Sequence, residues 1–576
     1  MNSEPDFTTI KVDVLIIGAG GAGLRAAIEA RSLGASVAIL SKSLLGKAHT
    51  VMAEGGIAAS LGNVDNKDNW KVHFADTYVE GVFLGNYRMS EILAKEAPDR
   101  VYELERYGAL FDRTPGGLIS QRAFGAHTYR RLCHVGDKTG LELIRTVQEK
   151  SVSSGAKVYD ELVISKIFNK NGRAIGALAL SMREGKFYVF SAKAVIVATG
   201  GLGRIYKVTS NSWESTGDGH SLAVRAGAEL MDMEMVQFHP TGMVYPPAVR
   251  GLLVTEGVRG DGGILLNNKG ERYMLKYSPK KKELDARDIV ARANYNEIIE
   301  GRGSEHGGVY LDISYKGKKF IMEKLPSMYM QYKEFAGIDI TKEKMEVAPT
   351  THYHMGGIRV DPDTTQTRVE GLYAAGEVAS GLHGANRLGG NSLADILVFG
   401  RRAGKYAAEY ALKSTYLDVD EVEVKDEIKR VSSYLKSGEK QNPYDLIEKL
   451  RTTMSEKVGI IREEKHLKEA LDIIREIKSK SGTVGVPGGL RFNPGLIACL
   501  ELDNMLLSAE LLVNSAIERR ESRGAHARKD YPDRSKEFMK NFIYEYDGNK
   551  ISMTTAPVPK LPAELEELIP KEEVIG

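Results

Sequence analysis

Six residues near the N-terminus, Gly18-Ala19-Gly20-Gly21-Ala22-Gly23, constrain the fold more than any other stretch. They follow an apolar run, Val12 to Ile17, and open an amphipathic segment, Leu24 to Leu33. Strand, glycine turn and helix in that order form the start of a dinucleotide-binding βαβ unit. Gly18 allows the tight turn, Gly20 lets backbone approach a pyrophosphate, and Gly23 lets the helix pack close to the strand. The phosphates would rest on the helix N-terminus, where free N–H groups and the helix dipole favour negative charge. Alone the turn is not decisive, because similar glycine turns occur in sheets that bind nothing. A second apolar run, Val37 to Leu40, ends in Ser41-Lys42. The acidic residue that usually holds a ribose there is missing, which counts against a nicotinamide dinucleotide.

The chain has 576 residues, too many for one core, so roughly three or four domains are expected. Basic and acidic residues nearly cancel, 79 against 77, with no basic stripe interleaved with aromatics, so no nucleic-acid partner is expected. Lys280-Lys281-Lys282 reads as a solvated loop. Cys133 and Cys499 are the only cysteines, which excludes a disulfide framework and a chain-internal iron-sulfur cluster or structural zinc; no metal site is expected. Met1 to Lys11 carries no apolar export core and no paired arginines, so a cytoplasmic location is expected. The best apolar candidate for a membrane span, Leu496 to Ile517, contains Glu501, Asp503 and Glu510 and reads instead as an amphipathic core helix.

Two later runs look like strands of the same cofactor domain. Ala194 to Ala198 leads into Thr199-Gly200-Gly201-Leu202-Gly203, and Gly371 to Ala375 leads into Gly376-Glu377. Both have the form of a buried parallel strand ending in a glycine turn. Their separation requires an insertion of loops and short helical patterns over about residues 237 to 351. Beyond about residue 414, Glu, Lys, Leu and Ile recur at helical spacing, as in Asp420 to Ser437 and Leu467 to Lys480. The stretch 481–489 reads as a loop, and the last forty or so residues, with Pro557, Pro559 and Pro562, as an extended tail.

Several polar motifs are hard to explain as packing. They are Ala48-His49-Thr50-Val51-Met52-Ala53-Glu54-Gly55-Gly56, Gln237-Phe238-His239-Pro240-Thr241-Gly242, Thr255-Glu256-Gly257-Val258-Arg259-Gly260, and Asp285-Ala286-Arg287-Asp288. Downstream come His352-Tyr353-His354-Met355-Gly356-Gly357, His383-Gly384-Ala385-Asn386-Arg387-Leu388-Gly389-Gly390-Asn391-Ser392-Leu393, and Arg520-Glu521-Ser522-Arg523-Gly524-Ala525-His526. With these motifs the sequence closely resembles the flavoprotein subunits of succinate dehydrogenase and fumarate reductase, nearly end to end.

The resemblance implies an α/β fold: a Rossmann-like FAD-binding domain (1–236 and 352–413) interrupted by an α+β capping domain (237–351). A helical domain (414–530) and a small C-terminal region (531–576) follow. It implies FAD bonded covalently through His49, and cofactor contacts from Gly18, Gly20, Gly23, Ser41, Lys42, Thr50, Gly55, Gly56, Asp218, Glu377, Arg387, Ser392 and Leu393. From their short motifs alone, Asp218 and Glu377 read equally well as turn or cap residues.

A dicarboxylate needs anion sites one small molecule apart. Arg387 offers a planar donor fork, and His239, His352 and Thr255 are further donors that the resemblance assigns to substrate, with Phe124 as a wall. It makes Arg287 the proton donor to carbon, relayed through Glu256 and Arg259; without the surrounding motifs, Arg287 and Glu256 read as a structural ion pair. Guanidinium normally keeps its proton, and only a neighbouring cation and a dry site would ease its loss. The implied reaction interconverts succinate and fumarate, with electrons passing through an iron-sulfur subunit to or from a quinone. The chain would then lie peripherally at the inner face of the cell membrane through partner subunits. Whether membrane anchor subunits or a soluble thiol-oxidising subunit complete the assembly is left open.

The main alternative is L-aspartate oxidase, whose branch generally lacks the flavin-linking histidine. A thiol-linked fumarate reductase, a flavin-binding scaffold, an RNA-modifying protein and a pure electron-transfer module are further alternatives. Glu54 matches what the fumarate reductase branch often carries, whereas Ala126 and His354 depart from familiar members.

Overall fold

The computed structural model describes residues 7–435, 441–548 and 550–570. Its main sheet contains β1 (Phe7–Ile17), β2 (Val37–Leu40), β3 (Lys157–Tyr159), β4 (Leu162–Lys170), β5 (Arg173–Ser181) and β6 (Lys186–Val197), in the order β3-β2-β1-β6-β5-β4. The first four strands in that order run parallel, and β5 and β4 add antiparallel at the β6 edge. Leu15 and Ile17 face one core, Val14 and Ile16 the other. That alternation belongs to a strand buried on both faces.

The glycine turn leads into α1 (Gly21–Ser32). Gly18 has φ +115°, and a Cβ on Gly23 would stand 1.9 Å from the Gly18 carbonyl oxygen, so α1 sits on the strand at a distance only glycine permits. Later helices position the site: α2 (Asp218–Arg225), α3 (Glu256–Gly260), α4 (Arg287–Glu297) and α5 (Asn391–Lys413).

Between α2 and α5 the chain builds a second sheet from β7 (Val236–Met243), β8 (Ile264–Leu266), β9 (Val309–Asp312) and β10 (Met345–His354). All its pairings are antiparallel, in the order β7-β10-β9-β8. Met243, Val258, Val290, Leu311 and Val347 give this unit a core of its own. The chain then returns as β11 (Leu372–Ala374), parallel to β6. On the Val14 and Ile16 face of the sheet α5 lies close on α1, where a Cβ on Gly404 would meet the Ala26 carbonyl oxygen at 2.2 Å.

The helical part comprises α6 (Glu421–Ser432), α7 (Pro443–Lys457), α8 (Glu464–Ser481) and α9 (Pro494–Glu518). Asp420, Asn442 and Asn493 cap α6, α7 and α9 with side-chain oxygens. The expected helix from 420 to 437 thus ends at Ser432, with 436–440 outside the described residues. The loop at 481–489 is tied down by buried Val484 and Val486, which bridge to Gln441 and Leu435.

Two expectations need correction. The segment Leu496 to Ile517 is a core helix but not an amphipathic one: α9 is surrounded by α2, α7 and α8, and is buried on nearly every face. Its charges are met by partners, Asp503 by Arg430, Glu510 by Lys478, and Glu501 by Lys42. The C-terminal stretch is not a loose tail, since β12 (Lys540–Tyr546) and β13 (Ile551–Pro557) pair as a hairpin on the strand Leu230–Met231. Phe542 and Tyr544, on the core-facing side of β12, are buried, which anchors the hairpin before the prolines begin. Among the described residues no helix is long and apolar enough to cross a membrane.

Candidate active site

A cleft opens over the carboxyl ends of β1, β2 and β6. Gly18, Gly20, Ser41, Lys42, His49, Thr50, Asp218, Glu377, Ser392 and Leu393 all line it. Thr50 Oγ1 accepts a hydrogen bond from the Gly21 amide at 3.3 Å, tying the His49 segment to the N-terminus of α1. Gly23 lies behind the cleft. Gly55 and Gly56 do not line it either: Gly55 packs against the Phe124 ring, and Gly56, at φ +135°, lies against the backbone of Cys133.

Lys42, at the end of β2 where an acid was expected, is itself paired with acids from elsewhere in the chain. Its ammonium is 2.8 Å from Asp218 and 2.6 Å from Glu501 of α9. These carboxylates outweigh burial and raise the Lys42 pKa above its ordinary value. The acidic groups at this end of the cleft therefore come from α2 and α9, not from the end of β2.

The cleft suits an FAD group on its own chemistry. His49 Nδ1 and the side-chain oxygens of Thr199 and Glu214 are buried there without partners, and a helix N-terminus faces the same space. Burial first, then Arg387 and Arg204, push the His49 imidazole down to about 4. Held neutral, the imidazole keeps one unprotonated ring nitrogen, the form that a covalent link requires.

Beyond His49 the β7–β10 sheet meets the loop before α5, and the cationic residues converge. The His49 and His352 rings are 5.9 Å apart, and those of His352 and His239 5.1 Å. Arg287, the first residue of α4, donates from Nε to Glu256 at 2.8 Å and from a terminal nitrogen to Gln237 Oε1 at 3.2 Å. Arg387 donates to the same Gln237 oxygen at 3.1 Å and to Ser392 Oγ at 3.2 Å, and its plane lies 4.3 Å from the Tyr353 ring centre. Arg259 comes within 3.7 Å of Glu256. Thr255 caps α3 by accepting from the Gly257 amide, which leaves its own hydroxyl hydrogen free to donate. Phe124 is buried beside this group, with its ring near Gly55 and Gly389. All the substrate and proton-transfer candidates thus fall in one cluster.

Burial raises the cost of ionising Glu256, but Arg287 and Arg259 outweigh it and hold the carboxyl below its ordinary value. Burial lowers Arg259, and burial together with Arg287 brings Arg387 down to about 9. His239 and His352 are driven well below their ordinary range, chiefly by burial. The site therefore combines neutral imidazoles, an ionised glutamate and crowded guanidiniums. Arg387 Nε and two Arg259 nitrogens are buried without acceptors, so the cluster can take up oxygen anions.

Sequence reasoning missed Ser210, Asn211 and the role of Gln237. Ser210 Oγ lies 2.8 Å from His352 Nδ1, and Asn211 donates to the His352 carbonyl at 2.7 Å while reaching 3.4 Å from His49 Nε2. The polar run Thr209-Ser210-Asn211-Ser212 after the second glycine turn was the available signal. The two departures from the family pattern resolve differently. His354 turns away from the cluster, with Nε2 2.9 Å from the Met233 carbonyl oxygen and Nδ1 3.4 Å from His220. Ala126 adopts φ +62°, a conformation glycine takes without strain.

These features define an FAD-dependent oxidoreductase, and the comparisons with known proteins agree. The family described as FAD binding domain matches residues 13–393, and fumarate reductase flavoprotein C-term matches 447–572. The chain belongs to the succinate dehydrogenase/fumarate reductase flavoprotein family. It is 47% identical to a subunit of the fumarate reductase (CoM/CoB) of Methanothermobacter marburgensis, over 92% of this chain and 96% of that one. It is 40% identical to the succinate dehydrogenase flavoprotein subunit of Coxiella burnetii, over 97% and 98%. Among solved structures, the Mycobacterium smegmatis Sdh1 complex superposes with a TM-score of 0.89 at 49% identity, covering 99% of this chain and 98% of that one. An Escherichia coli quinol fumarate reductase variant gives 0.92 at 35% identity, covering 96% and 98%.

Proposed function

We propose that this chain is the catalytic flavoprotein subunit that interconverts succinate and fumarate. The observation that carries the reading is the clustering of buried Arg287, Arg387, His239 and Thr255 with half-buried His352 beside the FAD cleft. Bound FAD, held by the cleft residues and joined to His49, would supply the hydride acceptor and donor. Arg387 would take one carboxylate in its fork, and His352, His239 and Thr255 would donate to the dicarboxylate's oxygens. Drawing charge onto a carboxylate polarises the double bond and stabilises hydride transfer. In the reducing direction Arg287 would give a proton to the substrate carbon and regain one from Arg259 through Glu256. The β7–β10 unit, residues 237–351, would close over the substrate and exclude water.

Both cysteines are buried and single, so electrons would pass to an iron-sulfur partner and on to a quinone, with the assembly peripheral at the inner membrane face. A second reading, reduction of fumarate by a thiol-oxidising partner, draws support from the Methanothermobacter relative, whose name is that of a CoM/CoB fumarate reductase. L-Aspartate oxidation is the alternative substrate chemistry.

The test is an anaerobic visible spectrum of the purified flavoprotein, titrated separately with succinate and L-aspartate. Bleaching by succinate alone, reversed by fumarate, is expected. Bleaching by L-aspartate alone would overturn the proposal.

A further inference from the structure

Arg287 and Arg387 carry like charges in a buried site, yet their guanidiniums share one acceptor. Gln237 Oε1 receives a hydrogen bond from each, at 3.2 and 3.1 Å. Its amide nitrogen donates to Asn386 Oδ1 at 2.8 Å and to the Arg387 carbonyl at 2.9 Å. Gln237, Asn386 and Arg387 are buried essentially completely, so water supplies no alternative partners.

The amide orientation is over-determined. Asn386 spends both amide hydrogens on carboxyl oxygens, one of Glu80 at 2.7 Å and one of Asp288 at 2.9 Å. Its oxygen can then only accept, and only the Gln237 NH₂ is there to donate. Flipping Gln237 would turn that NH₂ towards two guanidiniums, and donor would face donor. The chain of bonds therefore runs one way, linking the acidic side chains Glu80 and Asp288 at the outer end to the cations at the site.

A neutral acceptor here has a further consequence. Glu256 pairs with Arg287, but no carboxylate lies within ion-pair distance of Arg387 among the described residues. A glutamate in place of Gln237 would hold both arginines equally well and would also cancel charge that a bound dianion needs.

We infer that Gln237 is a positioning residue, oriented by Asn386, which fixes the spacing of Arg287 and Arg387 and leaves Arg387 uncompensated for a substrate carboxylate. The inference rests on the dicarboxylate reading above. It makes Gln237 responsible for the strength of dianion binding without contact between Gln237 and the reacting carbons.

The test uses the full-length, flavin-loaded chain and its Gln237→Glu and Gln237→Met variants. Malonate, a dicarboxylate that cannot be dehydrogenated to an alkene, is titrated by flavin difference spectroscopy. Flavin content and thermal unfolding are followed alongside, and succinate kinetics are measured on each protein. Both variants should keep their flavin and bind malonate at least tenfold more weakly than wild type. Gln237→Glu should raise the succinate KM more than it lowers kcat, the split expected when a competing charge is added. Gln237→Met, similar in length and uncharged, should lower kcat as well, because Arg287 loses its second anchor. Wild-type malonate affinity in either flavin-loaded variant overturns the inference. A wild-type protein that binds no malonate and is not bleached by succinate overturns the dicarboxylate reading instead, and this inference with it.

Discussion

His352 shows how one hydroxyl can set the chemistry of a site. A neutral imidazole has a single N–H, and burial keeps this ring neutral. If Nδ1 carried that hydrogen, Nε2 could only accept and would repel a carboxylate. Ser210 Oγ is 2.8 Å from Nδ1 and 3.4 Å from the Thr351 carbonyl oxygen, so the shorter contact favours Ser210 donating to Nδ1, which leaves Nε2–H as the donor for the proposed substrate. Ser210→Ala should therefore lower kcat/KM for the dicarboxylate about tenfold, the kinetic equivalent of one lost hydrogen bond. Flavin content should not change, because Ser210 does not line the cofactor cleft. Steady-state kinetics on flavin-matched samples check this, and an unchanged kcat/KM would assign the tautomer to another group.

At the scale of elements, legibility followed sequence distance. The β1-turn-α1 unit could be read because Gly18, Gly20 and Gly23 act within six consecutive residues, and each has a local cause. The Lys42 network could not, because its acids come from α2 and from α9, some 176 and 459 positions away, and no local pattern in Asp218 or Glu501 announces a shared ligand. Ser210 and Asn211 escaped for the same reason, since their partner His352 lies on β10. The C-terminal hairpin was misread because its prolines were weighted over the alternation of Phe542 and Tyr544. The Lys42 link has a testable consequence, since it joins a helix of the C-terminal part to the cofactor cleft. Glu501→Gln removes one of two carboxylates from a mostly buried ammonium, at a cost on the order of 1–3 kcal/mol. The variant should unfold at lower temperature and lose flavin content, although Glu501 lies far along the chain from the glycine turn. Thermal unfolding and the flavin-to-protein absorbance ratio check it; wild-type values for both would make the link incidental.

For the whole molecule, the distribution of buried titratable groups predicts sensitivity to acid. Nine of the twelve histidines, His49, His73, His127, His220, His239, His352, His354, His383 and His526, are held below the ordinary value of 6.5, in each case chiefly by burial. As pH falls below 6.5 the unfolded chain takes up protons there that the folded chain refuses, so stability declines. For His49 and His354 the decline continues to about pH 4. Buried carboxyls act in the opposite sense. Glu54 and Glu80 are raised well above their ordinary value, and Glu377 and Asp232 to about 7, all led by burial. In the same window the folded chain holds protons on these groups that the unfolded chain has lost. Asp68, Asp160, Asp261 and Glu501 are raised by burial as well; together these carboxyls offset part of the nine imidazoles, and each proton of the remaining deficit is worth roughly 1.4 kcal/mol per pH unit. The apparent Tm should therefore be highest near pH 7, where the two effects nearly balance, and fall steeply between pH 6.5 and 5. Scanning calorimetry of the flavin-loaded protein across that range checks the balance, and a level Tm down to pH 5 would mean that the buried imidazoles are already protonated in the folded chain.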